Sequence, residues 1–124
     1  AWYRSAEVVL NDHWDDMRRW GLVSNRVFEV LAVGGCVVSD ALPGLDDLLD
    51  GAVPTYVDAG GLAATVTALL ADPARREALG ARGRAAVLDR HTWRHRAATL
   101  RDLVADLDLA GPDRRGSATT TVVP

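Results

Sequence analysis

The chain has 124 residues, about one domain's worth, and 48% of them are hydrophobic at a mean hydropathy of zero, so it can bury a real core. Its 14 basic residues are all arginine against 17 acidic ones, a net charge of −3; the lack of lysine excludes a Walker A, Schiff-base or Ser-Lys site, and the lack of a basic patch argues against nucleic acid as a partner. The one cysteine, Cys36, excludes an internal disulfide, a thiol-rich zinc site and a CxxC pair, and no apolar run approaches the roughly 18 residues of a membrane span.

The chain enters an apolar run almost directly after Ala1 and reads as a piece of something longer. No charged-then-apolar leader is recognisable, and a cytoplasmic location is expected. Glu7 to Asn11 predicts a short strand buried on both faces and stopped by Asn11-Asp12. A polar stretch from His13 to Arg19 leads to Trp20-Gly21, and Ser24 can cap a helix running from Asn25 to about Gly34, where Gly34-Gly35 stops it. Cys36 to Ser39 is a second strand followed by Asp40. Pro43-Gly44 turns into a short helix, Leu45 to Leu49, closed by Asp50-Gly51.

Val53 to Val57 is a third strand, placed at a sheet edge because Pro54 cannot donate to a ladder. Leu62, Val66, Leu69 and Leu70 then mark one face of a helix, Asp72-Pro73 restarts the chain, and a further helix reaches about Asp89 with Arg75, Arg76, Arg82 and Arg84 solvated. Thr92 can cap a last helix whose Trp93, Ala97, Leu100, Val104 and Leu107 form an apolar stripe that must dock on something. Residues 1–110 are thus expected to be ordered, and 111–124 to be a disordered tail. The pattern is α/β: a truncated Rossmann-like parallel sheet with trailing helices, short of the five or six strands a doubly wound domain usually carries.

In such sheets ligands bind beyond the carboxyl ends of the strands, where helix N-termini present free amides. The candidates there are Asn11, His13 and the helix start at Ser24, on which Asn25, Arg26 and Glu29 lie within about a 100° arc. First-turn amides and a guanidinium can hold a diphosphate, and a carboxylate one turn on can accept bonds from ribose hydroxyls. The competing reading is an Arg26–Glu29 surface pair at i, i+3 spacing, common and weak.

The segment Ser24-Asn25-Arg26-Val27-Phe28-Glu29-Val30-Leu31-Ala32-Val33-Gly34-Gly35-Cys36-Val37-Val38-Ser39-Asp40 resembles the donor-site segment of group-1 (family 4-like) GT-B glycosyltransferases, in the branch with the spore-maturation-type enzymes. The likeness continues through Leu45 to Leu49, Leu69 to Pro73 and His91 to Ala97, and covers roughly residues 3 to 105. It implies the C-terminal, nucleotide-sugar-binding half of a glycosyltransferase whose acceptor domain lies N-terminal to this chain, a fragment inactive alone. Glu29 matches the family's ribose-binding glutamate, and Ser24, Asn25 and Arg26 fall beside the diphosphate. Gly21 stands where the family has a further glutamate, for the sugar. The resemblance also implies a metal-independent reaction needing no cofactor besides the nucleotide-sugar substrate.

Two further readings stay open. One is a non-catalytic interaction domain of the same fold, favoured by Gly21; the other is a nucleotide-sugar epimerase. His91 and His95 have a metal-ligand spacing without an obvious third ligand. Trp2, Trp14 and Trp20 suit core or interface packing, or a wall facing base or sugar. Asp40 ends a strand at the ligand edge, within possible reach of a sugar.

Overall fold

The computed structural model describes residues 2–109; the tail expected over 111–124 lies outside the described residues. Among them the α/β class is as expected. Three parallel strands, β1 (Val9–Asn11), β2 (Val37–Asp40) and β3 (Thr55–Tyr56), pair in the order β1-β2-β3, with Val9 opposite Val37, Asn11 opposite Ser39 and Asp40 opposite Tyr56. Pro54 stands just before the edge strand and serves it as an acceptor, its carbonyl taking the Ser39 N–H at 3.1 Å.

The helices are α1 (Trp2–Ser5), α2 (Asp15–Trp20), α3 (Asn25–Ala32), α4 (Leu45–Leu48), α5 (Ala59–Leu70), α6 (Pro73–Arg90) and α7 (Trp93–Leu109). Ser24 and Asp72 accept first-turn amides of α3 and α6 through their side chains, as the sequence suggests, and Asp58, not singled out in the sequence, does the same for α5. The α3 helix ends on Gly34 at φ +78°, with the Gly34 and Gly35 amides bonded back to Leu31 and Val30 in a Schellman turn. Two short helices were not foreseen: α1, and α2 within the polar stretch.

The pleat of β2 divides the core. Val37 faces a layer of Val27, Val30, Leu31, Leu45, Leu49, Val53 and Val87, whereas Val38 faces Leu69 of α5 and Leu79 of α6 on the other side. The long α6 therefore reaches both layers. Each fully buried aliphatic side chain contributes about 1.5–3 kcal/mol, and most come from α3, β2 and the α4 region. Two expectations are corrected. β1 is not buried on both faces, since Leu10 is 50% exposed at the edge of the described sheet; and Trp2, Trp14 and Trp20 are exposed rather than core residues.

Arginine also behaves differently from its expected solvated role at one position. Arg76 donates from Nη1 to the carbonyls of Leu69 and Leu70 at 2.6 and 3.0 Å, satisfying the end of α5, and its Nη2 reaches Glu7 Oε1 at 3.0 Å. Burial pushes the nearby Cys36 thiol up from its ordinary range, offset in part by Arg76 and Arg75. At neutral pH Cys36 is expected to resist a thiol-specific reagent in the folded protein and to react completely once urea unfolds it, as followed by absorbance.

The elements up to Thr92 form one compact unit, and α7 belongs to a second. Within α7, Thr99 Oγ1 donates to the His95 carbonyl at 3.1 Å and Arg101 pairs with Asp102. Trp93, Ala97, Leu100, Val104 and Leu107 keep helical spacing along it.

Candidate functional site

Polar side chains gather at the carboxyl ends of β1 and β2. Asn11, Ser39 and Asp40 terminate these strands in matched register, and all three are buried, as is His13 in the loop after β1. Such groups are stable inside only when hydrogen-bonded. Asn11 Nδ2 donates to Ser39 Oγ at 3.0 Å, and Ser39 Oγ donates to Asp40 Oδ1 at 3.1 Å. Asp40 Oδ1 also accepts the His13 backbone N–H at 3.1 Å and lies 2.6 Å from His13 Nδ1. Asn11 Nδ2 is nearly equidistant from both imidazole nitrogens, at 3.5 and 3.4 Å, which puts it over the ring face.

The opposite ring nitrogen fixes the tautomer. His13 Nε2 accepts the backbone N–H of Ser24 at 3.0 Å and so carries no proton; the proton is on Nδ1, donated to Asp40. A chain of contacts therefore runs from the end of β2, through Asp40 and His13, to the residue that caps α3. Arg18 of α2 closes it from outside, with Nε donating to the His13 carbonyl at 3.1 Å and lying 3.4 Å from Asp40 Oδ2. Tyr56 of β3 donates its hydroxyl to the Asn11 carbonyl at 3.1 Å. Burial and the carboxylates of Asp12 and Asp40 push this phenol up against the opposing pull of Arg18, so it remains a donor well above neutral pH.

Of the six candidate residues, the structure joins three: Asn11, His13 and Ser24. The other three, Asn25, Arg26 and Glu29, are exposed on α3. Arg26 and Glu29 form no ion pair among the described residues, so the surface-pair reading is corrected. Ser24 Oγ accepts the Arg26 N–H at 3.3 Å, and the Val27 N–H goes to the Ser24 carbonyl at 3.1 Å. The Asn25 amide is left without an acceptor among the described residues.

Gly21 has a local reason. It ends α2 at φ +63°, with its amide bonded to the Arg18 carbonyl at 3.2 Å and the Leu22 amide to that of Met17 at 2.9 Å. A side chain there carries the left-handed penalty of roughly 1–2 kcal/mol, so a glutamate at this position is disfavoured by the backbone itself. Around the start of α2, Asp12, His13, Trp14, Asp15, Asp16 and Arg18 line a surface concavity of about 620 Å³. Three carboxylates against one guanidinium make it unsuited to an anion.

His91 is occupied structurally. Its Nε2 donates to the Leu48 carbonyl at 3.0 Å, and its ring lies 5.6 Å from that of Phe28. Asp40, read as within reach of a ligand, commits Oδ1 to His13 and Ser39, while its buried Oδ2 faces Arg18 at 3.4 Å without a hydrogen bond. Sequence reading missed Ser39, Arg18 and Tyr56 as members of the cluster. Its one available signal was that two apolar runs both end in polar residues.

Comparison with known proteins gives two matches. The profile of a family described as Glycosyl transferase-like matches residues 1–102. Among solved structures, sucrose-phosphate synthase from Thermosynechococcus elongatus superposes with a TM-score of 0.71 at 24% identity, over 89% of this chain and 27% of that one. The likeness in structure bears on the fold, and this chain spans only about a quarter of that enzyme's length. No curated protein sequence matches.

Proposed function

The chain belongs to the Glycosyl transferase-like family, and we propose that it forms part of the nucleotide-sugar donor site of a GT-B glycosyltransferase, of group 1 and the spore-maturation-type branch. The reaction is transfer of a sugar from a nucleoside diphosphate to an acceptor held by a further domain. One observation carries this reading: Asn25, Arg26 and Glu29 stand exposed and uncommitted along one side of α3, whose first turn is anchored at the carboxyl edge of the parallel sheet.

The chemistry follows from those groups. As the bond from the anomeric carbon to the diphosphate breaks, negative charge grows on the leaving phosphate. The Asn25 amide, the positive end of α3 and the Arg26 guanidinium offset that charge without a metal ion, and no further cofactor is required. Glu29, one turn along, accepts hydrogen bonds from the ribose hydroxyls. Ser24 holds the first turn closed, and Asn11 and His13 act from beneath it. A cytoplasmic setting suits a soluble nucleotide sugar; among the described residues no helix is long and apolar enough to cross a membrane.

The test is nucleotide affinity. Glu29→Ala in the full protein is expected to weaken binding of the cognate nucleoside diphosphate by about 10- to 100-fold, the value of a charge-assisted hydrogen bond, and to abolish transfer. Titration calorimetry with uridine and guanosine diphosphates reads the first effect; unchanged affinity would sink the assignment of Glu29. A second reading, a non-catalytic interaction domain, draws on the exposed Trp2, Trp14 and Trp20. Absence of saturable binding of any nucleotide by the wild-type protein favours it.

A further inference from the structure

Both ring nitrogens of His13 are engaged inside the protein, so His13 cannot itself act as a base or ligand toward a substrate. What it does reach is the backbone of Ser24, immediately before the amides that would meet a diphosphate. We infer that His13, oriented by Asp40, is a positioning residue for the donor site: a buried Asp40–His13 relay that aims the first turn of α3. This inference rests on the donor-site reading above.

Three observations support it. The relay joins segments distant in sequence, the end of β2 and the start of α3, through two short bonds of 2.6 and 3.0 Å about one imidazole. An imidazole has one acceptor nitrogen in its neutral form, and the protein spends it on a backbone amide rather than on solvent. Asp40 is locked in turn by Ser39 and the His13 backbone, so the ring has little freedom to swing. Burial of a polar relay is costly, and a simple apolar side chain would fill the same space. The geometry thus favours placement of the Ser24 amide as its use.

Two replacements of His13 separate aiming from packing. His13→Phe keeps the ring and removes both bonds; the Gln in His13→Gln has an oxygen that extends about as far as Nε2 and can still accept the Ser24 amide. In the full protein, folded at the assay temperature by circular dichroism, His13→Phe is expected to bind uridine or guanosine diphosphate, whichever the wild type binds, at least about tenfold more weakly. His13→Gln is expected to stay within about threefold of the wild type. A Phe variant that binds as tightly as the wild type, or a Gln variant as weak as the Phe variant, overturns the inference and leaves the donor site standing. A wild-type protein that binds neither nucleotide overturns the donor reading first, and the inference with it.

Should His13→Phe fail to fold, the same bond can be cut from the other side. Ser24 has φ −59°, which proline adopts, so Ser24→Pro deletes the donated N–H, and Ser24→Ala deletes only the capping hydroxyl. The proline variant is expected to bind about tenfold more weakly than the alanine variant, and equal affinities overturn the inference.

Discussion

Asp40→Ala is expected to lower the unfolding free energy by about 3–5 kcal/mol, a large share of a small domain's stability. The carboxylate is 3% exposed and serves three donors: the His13 backbone N–H, His13 Nδ1–H and the Ser39 hydroxyl. It also faces Arg18. Alanine leaves two of these donors buried with nothing to accept them, each at about 1–3 kcal/mol, while the hydroxyl can rotate to another acceptor. Asp40→Asn keeps an oxygen in place and is expected to cost less than half as much. Urea denaturation followed by circular dichroism measures both; equal losses for Ala and Asn would show that the carboxylate charge, not its acceptor geometry, matters. The Ala variant is also expected to release Ser24, because His13 then has nothing to fix its tautomer.

Gly80→Ala is the second large effect, expected at about 2–3 kcal/mol of destabilisation. α6 crosses the end of α3 so closely that a β-carbon at residue 80 would sit 2.3 Å from the Gly34 carbonyl oxygen and 3.0 Å from its carbon. Both are backbone atoms of a Schellman turn, so neither can step aside without unwinding the end of α3. The helix-propensity gain from replacing glycine, about 1 kcal/mol, does not offset this. Gly83→Ala is expected to cost less, since its β-carbon meets only the Leu31 side chain, though at 2.4 Å. Gly60→Ala supplies the contrast: its nearest neighbour is Asp58 Oδ1 at 3.4 Å, and it is expected to be neutral or slightly stabilising. Thermal melts of the three variants should rank in that order, and a Gly80→Ala protein as stable as the wild type would refute the close crossing.

Much of the fold is legible locally. Apolar runs of strand length, Ser24 and Asp72 ahead of helices, and Gly34 behind one follow from propensity and capping, which act over a few residues. The α2 helix escaped because its six residues, Asp15–Trp20, are too few to show a helical period and bury none of their side chains; it is held by acids in its first turn, arginines in its last and the turn at Gly21. Arg76 escaped for another reason. A cation looks solvated until the end of α5 and Glu7 are brought beside it.

The candidate site divides in the same way. Its exposed half, Asn25, Arg26 and Glu29, is visible as a polar stripe on an amphipathic helix, because helical periodicity is a property of the sequence itself. Its buried half is not. That His13 has no free nitrogen, that Asp40 is buried with Oδ1 turned to His13 and Ser39, and that Ser39, Arg18 and Tyr56 belong beside them depend on strand register and on the packing of α3 against the sheet. The sequence by itself determined the α/β class, the caps at Ser24 and Asp72 and which face of α3 is polar. The tertiary structure decided which polar groups are committed, because hydrogen bonds between residues 27 or 45 positions apart exist only once β1, β2 and β3 lie side by side.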